Sequence, residues 1–135
     1  MDIEEVKEWL RIADTDLDSA KILNDAVRKP YEIICYLCAQ SVEKQLKGYL
    51  IYCGITPKKT HDLSFLNSLC IEKDKDFENI QICCDFLTTF ANDIRYPHKY
   101  EITEDDVNFS IKAVEKVKNC KPIIGMINQI TNKND

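Results

Sequence analysis

Apolar residues recur every three or four positions along most of this chain, and this spacing predicts amphipathic helices. Residues 3–26 have one charged face and an apolar stripe made of Val6, Leu10, Ala13, Leu17, Ala20 and Leu23. Residues 31–53 are apolar nearly all round in their first half, which predicts a helix at the centre of a bundle or in a subunit interface. In the second half of this helix we expect Glu43, Lys44 and Lys47 to lie outside the apolar stripe.

Turn and capping residues divide the rest of the chain. Gly54 suits the C-terminal cap of the second helix, and Thr60 or Asp62 suits the N-terminal cap of a short helix that ends near residue 69. A third long helix is predicted over residues 77–94. Thr103 then has the form of an N-terminal cap for a fourth.

The C-terminal region contains Pro122, which cannot donate an interior helical hydrogen bond, so we expect a kink or break near Cys120. The whole pattern predicts an all-α fold, an antiparallel four- to five-helix up-down bundle. One domain over residues 1–135 is expected, with an ordered core from about residue 3 to residue 130.

Composition and charge narrow the class of protein. The chain is 44% hydrophobic and 30% charged, as in ordinary globular domains. The net charge of -5 excludes proteins that bind nucleic acid by wholesale charge neutralisation, so a DNA partner is not expected. A small, local basic site remains compatible with this charge. No run approaches the ~18 apolar residues of a transmembrane helix, so membrane association is not expected.

The seven cysteines are unusual, and no N-terminal apolar stretch resembles a signal peptide. We therefore expect a cytoplasmic protein with reduced thiols. Cys35 and Cys38 have the spacing of half a zinc site, but they lie within a predicted buried helix and no second pair has ligand spacing. No metal and no cofactor are expected.

The candidate site is the segment 92–100, where charged, aromatic and imidazole groups gather beside Pro97. The candidate ligand-binding residues in this segment are Arg95, Tyr96, His98 and Lys99. His61, earlier in the chain, is a further candidate. Cations at a helix C-terminus are favoured by the macrodipole, which accounts for part of this clustering. A phosphate or phosphodiester site is the alternative. His61 could cap a helix, form a hydrogen bond to another helix, or contribute to the ligand-binding site.

Three stretches together resemble the HEPN family of small prokaryotic helical bundles. They are AQSVEKQLK at residues 39–47, GITPKKTHDL at residues 54–63 and DIRYP at residues 93–97. The resemblance implies a homodimer and a partner that is a minimal nucleotidyltransferase. It also implies a module that binds nucleotide or RNA in a two-component system, of the toxin–antitoxin or defence type.

Two alternatives remain open. Some members of the family resemble ribonuclease toxins, in which an arginine and a histidine roughly four to six residues apart stabilise phosphate charge and accept the 2′-hydroxyl proton. Here Arg95 matches, but Tyr100, Glu101 and Ile102 occupy the positions of that histidine, and His98 comes earlier. A ribonuclease would therefore use Arg95 and His98 as its catalytic pair. The other alternative is a purely structural interaction subunit.

Overall fold

The computed structural model describes residues 2–92 and 101–132, and every regular element within these ranges is helical. The all-α prediction is therefore confirmed. In chain order the elements are α1 (Ile3–Asn24), α2 (Tyr31–Tyr52), α3 (Leu63–Lys73), a 3₁₀ helix (Lys75–Ile80), α4 (Gln81–Thr88), α5 (Glu104–Lys118) and α6 (Lys121–Asn132).

Helix α2 lies at the centre of the bundle and packs against α1, α3, α4, α5 and α6. Its apolar residues Ile34, Val42, Leu46 and Leu50 are fully buried. The first half of α2, which is apolar on nearly all sides in the sequence, therefore packs into the core of the bundle. Removing such side chains from water is the main source of stability in a fold of this size.

Helices α1 and α2 pack antiparallel and very closely. A Cβ atom at Gly48 would lie 3.4 Å from the Cβ of Trp9, so the absence of a side chain at Gly48 lets the two backbones approach. The hydroxyl of Ser41 donates a 2.7 Å hydrogen bond to the carbonyl of Ala13. These contacts fix the register of α1 along α2.

The third long helix differs from the prediction, because a 3₁₀ helix precedes α4. Asn67 Nδ2 donates a 3.1 Å hydrogen bond to the carbonyl of Phe77, which an α-helix would pair with the amide of Gln81. The amide of Gln81 bonds instead to the carbonyl of Glu78, three residues back. A buried side-chain amide therefore delays the start of the α-helix to Gln81.

The other boundaries follow the capping residues. Asp62 caps α3 by accepting from the amide of Phe65, and α3 continues to Lys73, beyond its expected end near residue 69. Thr103 caps α5 as predicted. The expected break near Cys120 separates α5 from α6, and Pro122 lies in the first turn of α6, where its missing amide hydrogen has no helical partner to lose.

Candidate functional site

The sequence candidates fall into two groups. Arg95, Tyr96, His98 and Lys99 lie outside the described residues, so their predicted roles in ligand binding and catalysis stay predictions. His61 is described, and it lies in the connection between α2 and α3. The candidate site is therefore built from His61 outward.

The imidazole of His61 contacts a buried carboxylate. Its Nδ1 is 2.7 Å from Oε1 of Glu43, a residue in the middle of α2. An ionised carboxylate only accepts hydrogen bonds, so Nδ1 carries the hydrogen of this bond. The side chain of His61 is 57% exposed, whereas that of Glu43 is 5% exposed. Among the described residues, none pairs with Nε2 of this imidazole.

The second oxygen of Glu43 is also engaged. Lys47, one turn further along α2, donates from Nζ to Oε2 of Glu43 over 3.1 Å, and its side chain is only 9% exposed. The Nζ atom also lies 5.9 Å from the centroid of the Trp9 ring, at a distance that allows a cation–π interaction. Each formal charge in the pair thus has a partner, as a buried charge requires.

This burial corrects the sequence prediction for two of the three polar residues in α2. Glu43 and Lys47 were expected outside the apolar stripe, but α1 covers them through Trp9 and the α2–α3 connection covers them through His61. Lys44 remains partly exposed and forms a 2.6 Å ion pair with Asp16 of α1. In the sequence, the interaction of Glu43 with Lys47 is visible only as an (i, i+4) spacing. The same spacing is common on solvent-exposed helices, so it does not predict burial.

The connection that carries His61 is fixed at both ends. Helix α2 ends with Gly54 at a φ of 81°, and the amides of Gly54 and Ile55 bond to the carbonyls of Ile51 and Leu50. This pattern is the Schellman motif, in which glycine suits the left-handed position. Asp62 then caps α3 directly after His61. The imidazole therefore projects from a short segment held between two capped helix ends.

The end of α4 lies beside the same part of the bundle. The hydroxyl of Thr88 accepts hydrogen bonds from the amides of Leu63 and Ser64, at 3.1 and 3.3 Å. Gln40, one turn before Glu43 on α2, donates a 3.3 Å hydrogen bond to the carbonyl of Ala91. Thr88 and Ala91 thus lie on the side of the bundle that contains the start of α3 and this part of α2.

Cationic groups in the connection and an aromatic ring in the first turn of α3 flank His61 in the sequence. Lys58 and Lys59 are exposed, and Nζ of Lys58 lies 5.7 Å from the ring centroid of Phe65. Phe65 lies in the first turn of α3 and is 37% exposed. A partly exposed aromatic ring, two ammonium groups and an exposed imidazole are groups of the kind that contact bases and phosphates in single-stranded nucleic acids.

The described residues offer neither a metal site nor a membrane-spanning helix. Residues 2–92 and 101–132 contain no group of three or more histidine, cysteine or acidic side chains arranged to hold a metal ion. The seven cysteines are free thiols. In the same part of the chain, no helix combines the length and the apolar character needed to cross a membrane.

Comparisons with known proteins agree on one family. The family model described as the HEPN domain matches residues 6–124. The crystal structure of ST0689, an archaeal HEPN homologue, superposes with a TM-score of 0.67 and 27% sequence identity, covering 93% of this chain and 97% of that one. No curated protein matches the chain.

Proposed function

The chain belongs to the HEPN family, and from this premise we propose that it is a module that binds a nucleotide or RNA through a surface centred on His61. The observation that carries the proposal is the hydrogen bond from His61 Nδ1 to buried Glu43, which holds the imidazole with Nε2 free of protein partners among the described residues. An imidazole fixed in this way can donate to a phosphate oxygen when protonated, or accept from a ribose hydroxyl when neutral.

The chemistry around His61 supports a small anionic ligand or a short single strand. Lys58 and Lys59 supply positive charge within three residues of the imidazole, and Phe65 supplies a face on which a base can stack. Because the chain as a whole carries a net charge of -5, electrostatic attraction of an anionic ligand is restricted to this local surface. Arg95, Tyr96, His98 and Lys99 belong to the same proposal as further ligand-binding residues, on the basis of their sequence alone.

Partner proteins are part of the proposal as well. The family resemblance implies a homodimer and a nucleotidyltransferase partner, acting in a two-component system. Light scattering of the purified protein tests the first, since a dimer would have twice the 15.7 kDa mass of the chain. Copurification with a nucleotidyltransferase encoded beside the protein tests the second.

The binding proposal is tested by fluorescence anisotropy with a labelled single-stranded RNA, and by competition with ATP and GTP, at low salt. His61→Ala and the double variant Lys58→Ala/Lys59→Ala are expected to weaken binding by about tenfold each. Arg11→Ala is the matched control, because Arg11 is an exposed cation on α1 whose ion-pair partner is Glu8. If the wild type binds neither RNA nor nucleotide, or if both variants bind as it does, the proposal is wrong.

A further inference from the structure

The hydrogen bond between His61 and Glu43 decides what the exposed side of the imidazole binds in each charge state. Nδ1 of His61 donates to Oε1 of Glu43 over 2.7 Å, so this nitrogen carries a hydrogen in both states. In the neutral ring, Nε2 is then an acceptor, and its lone pair repels the oxygens of a phosphate. In the protonated ring, Nε2 is a donor to such oxygens. The charge of His61 therefore selects its ligand.

A phosphate bound at Nε2 would place the imidazole between two anions. The first is the carboxylate of Glu43, which contacts Nδ1 and whose side chain is only 5% exposed. The second is the phosphate itself. A neutral ring has one hydrogen to donate to these two anions, whereas a protonated ring donates one to each. Charge-assisted hydrogen bonds on both sides make the complex most stable with the proton on His61.

Lys47 keeps the carboxylate in place for this role. Its Nζ donates to Oε2 of Glu43 over 3.1 Å, and its own side chain is 9% exposed. Both oxygens of Glu43 are therefore engaged, which limits rotation of the carboxylate and keeps Oε1 directed at His61. The pair carries no net charge, so it orients the ring without repelling an anionic ligand as an isolated carboxylate would.

We propose that His61 binds a phosphate group of the ligand as an imidazolium and takes up one proton on binding, with Glu43 and Lys47 as its positioning residues. This inference rests on the proposed function, and it adds the charge state of the site and the dependence of affinity on pH. It also narrows the ligand chemistry, because the group that His61 recognises is a phosphate oxygen and not a ribose hydroxyl or a base.

The other charged groups around His61 are carboxylates and ammonium groups. Such groups ordinarily titrate outside the range from about pH 6 to about pH 8, in which an imidazole ordinarily titrates. Those of α2, the α2–α3 connection and α4 are Glu43, Lys47, Lys58, Lys59, Asp62 and Asp85. Helix α1 and its cap add Asp2 and Glu5, beside the start of the connection. The two lysines of the connection attract phosphate throughout this range, so they add affinity without adding pH dependence.

The test is the pH dependence of RNA binding. The probe is a labelled oligouridylate, because neither its phosphodiesters nor its uracil bases change charge in the range where an imidazole titrates. Fluorescence anisotropy at constant salt gives the dissociation constant at each pH. We expect the wild type to bind about tenfold more weakly at about pH 8 than at about pH 6, because uptake of one proton weakens binding by up to about tenfold per pH unit.

His61→Asn separates the proton from the fold. The Asn amide nitrogen occupies nearly the position of Nδ1 and donates to Glu43, but the side chain takes up no proton. We expect this variant to keep the wild-type melting temperature and to lose most of the pH dependence, although it retains the other histidine, His98. Lys58→Ala/Lys59→Ala is the control, and it should weaken binding by the same factor at both pH values. If His61→Asn has the pH dependence of the wild type, the inference is wrong.

The positioning residues need a variant that folds. Glu43→Gln alone leaves the buried ammonium of Lys47 without its counter-charge, so the double variant Glu43→Gln/Lys47→Met, which removes both charges, is preferred. The amide oxygen that replaces the carboxylate still accepts from Nδ1, but it no longer stabilises an imidazolium by charge. We expect binding to weaken about tenfold at about pH 8 and to stay within about twofold of the wild type at about pH 6. An equal loss at both pH values, or no loss at either, would contradict the positioning role.

The outcomes distinguish this inference from the proposed function. RNA binding that depends on His61 but not on pH overturns the inference and leaves the binding proposal standing. If the protein binds ATP and no RNA, the same comparison of the wild type with His61→Asn is made with ATP, whose own ionisation is common to both proteins. Absence of binding to either ligand overturns both the inference and the proposed function.

Discussion

Oε1 of Glu43 lies 2.7 Å from Nδ1 of His61, although 18 positions of sequence separate the two residues. Glu43 belongs to the central helix α2, and His61 belongs to the connection that follows it. The bond therefore ties a connection that carries two exposed lysines, Lys58 and Lys59, to the central helix of the fold. It gives an exposed imidazole a fixed direction without burying it.

The ion pair beneath this bond predicts a clear stability effect. Lys47→Met leaves the buried carboxylate of Glu43 without its ammonium partner, and we expect the free energy of unfolding to fall by about 3 kcal/mol. Urea denaturation followed by circular dichroism measures the change. The double variant Glu43→Gln/Lys47→Met should recover most of the loss, because neither side chain then carries a buried charge.

Lys118→Met is the control for that experiment. Lys118 is paired with Asp14 at 3.4 Å, but both side chains of this pair are substantially exposed. Exposed pairs contribute about 0–1 kcal/mol, so this variant should be close to the wild type. Equal losses for Lys47→Met and Lys118→Met would contradict the special role of the buried pair.

The sequence predicted the fold well because apolar spacing and caps determine it. The stripe in α1, the apolar surround of α2, the caps at Asp62 and Thr103 and the break at Cys120 were each visible in local patterns. The 3₁₀ helix before α4 was not visible, because it depends on the side chain of Asn67 reaching the carbonyl of Phe77 from another helix.

The site was predicted only in part for the same physical reason. His61 was a candidate because an imidazole in a basic connection stands out in a sequence. The burial of Glu43 and Lys47 depends on two neighbours in the fold: Trp9 of α1, which lies near Lys47, and His61 of the α2–α3 connection, which contacts Glu43. Such cover is a tertiary property, and an (i, i+4) pair has the same spacing whether it is buried or exposed.

Two glycines in different backbone conformations give a second prediction: Gly54 follows the end of α2, and Gly125 lies in α6. Gly54 has a φ of 81°, so Gly54→Ala should lower the free energy of unfolding by about 1–2 kcal/mol through backbone strain. Gly125 lies within α6, and a Cβ atom there would meet no other atom within 4 Å. Gly125→Ala should therefore stabilise the protein by up to about 1 kcal/mol. Urea denaturation of both variants would contradict this account if the two changes had the same sign.

The capping box of α5 gives a third prediction. The hydroxyl of Thr103 accepts from the amide of Asp106, and the carboxylate of Asp106 accepts from the amide of Thr103. Thr103→Ala removes one of these partners and should cost about 1 kcal/mol in the free energy of unfolding. Thr103→Ser keeps the hydroxyl and serves as the control. Thermal and urea denaturation should place Thr103→Ser near the wild type, and a loss equal to that of Thr103→Ala would show that the hydroxyl is not the cause.

The buried thiol of Cys35 predicts a loss of stability at alkaline pH. Burial raises the pKa of Cys35 to about 11, although the hydrogen bond from the hydroxyl of Ser110 opposes this shift. In the unfolded chain the thiol ionises near pH ~8.5. Below that pH both states keep the proton, so Cys35 confers no pH dependence. Between about 8.5 and about 11 only the unfolded state loses it, so the folded state loses stability as the pH rises.

Urea denaturation at a series of pH values between about 8 and about 11 measures this effect. Cys35→Ala removes this thiol, so the difference in slope between the two proteins reports Cys35 together with its electrostatic effect on the neighbouring thiol of Cys38. The wild type should lose stability more steeply than Cys35→Ala, even though the variant starts from a lower value because it has a small cavity. Parallel declines would mean that the Cys35 thiol ionises in the folded protein as readily as in the unfolded chain, against the burial that the packing of α2 on α5 gives it.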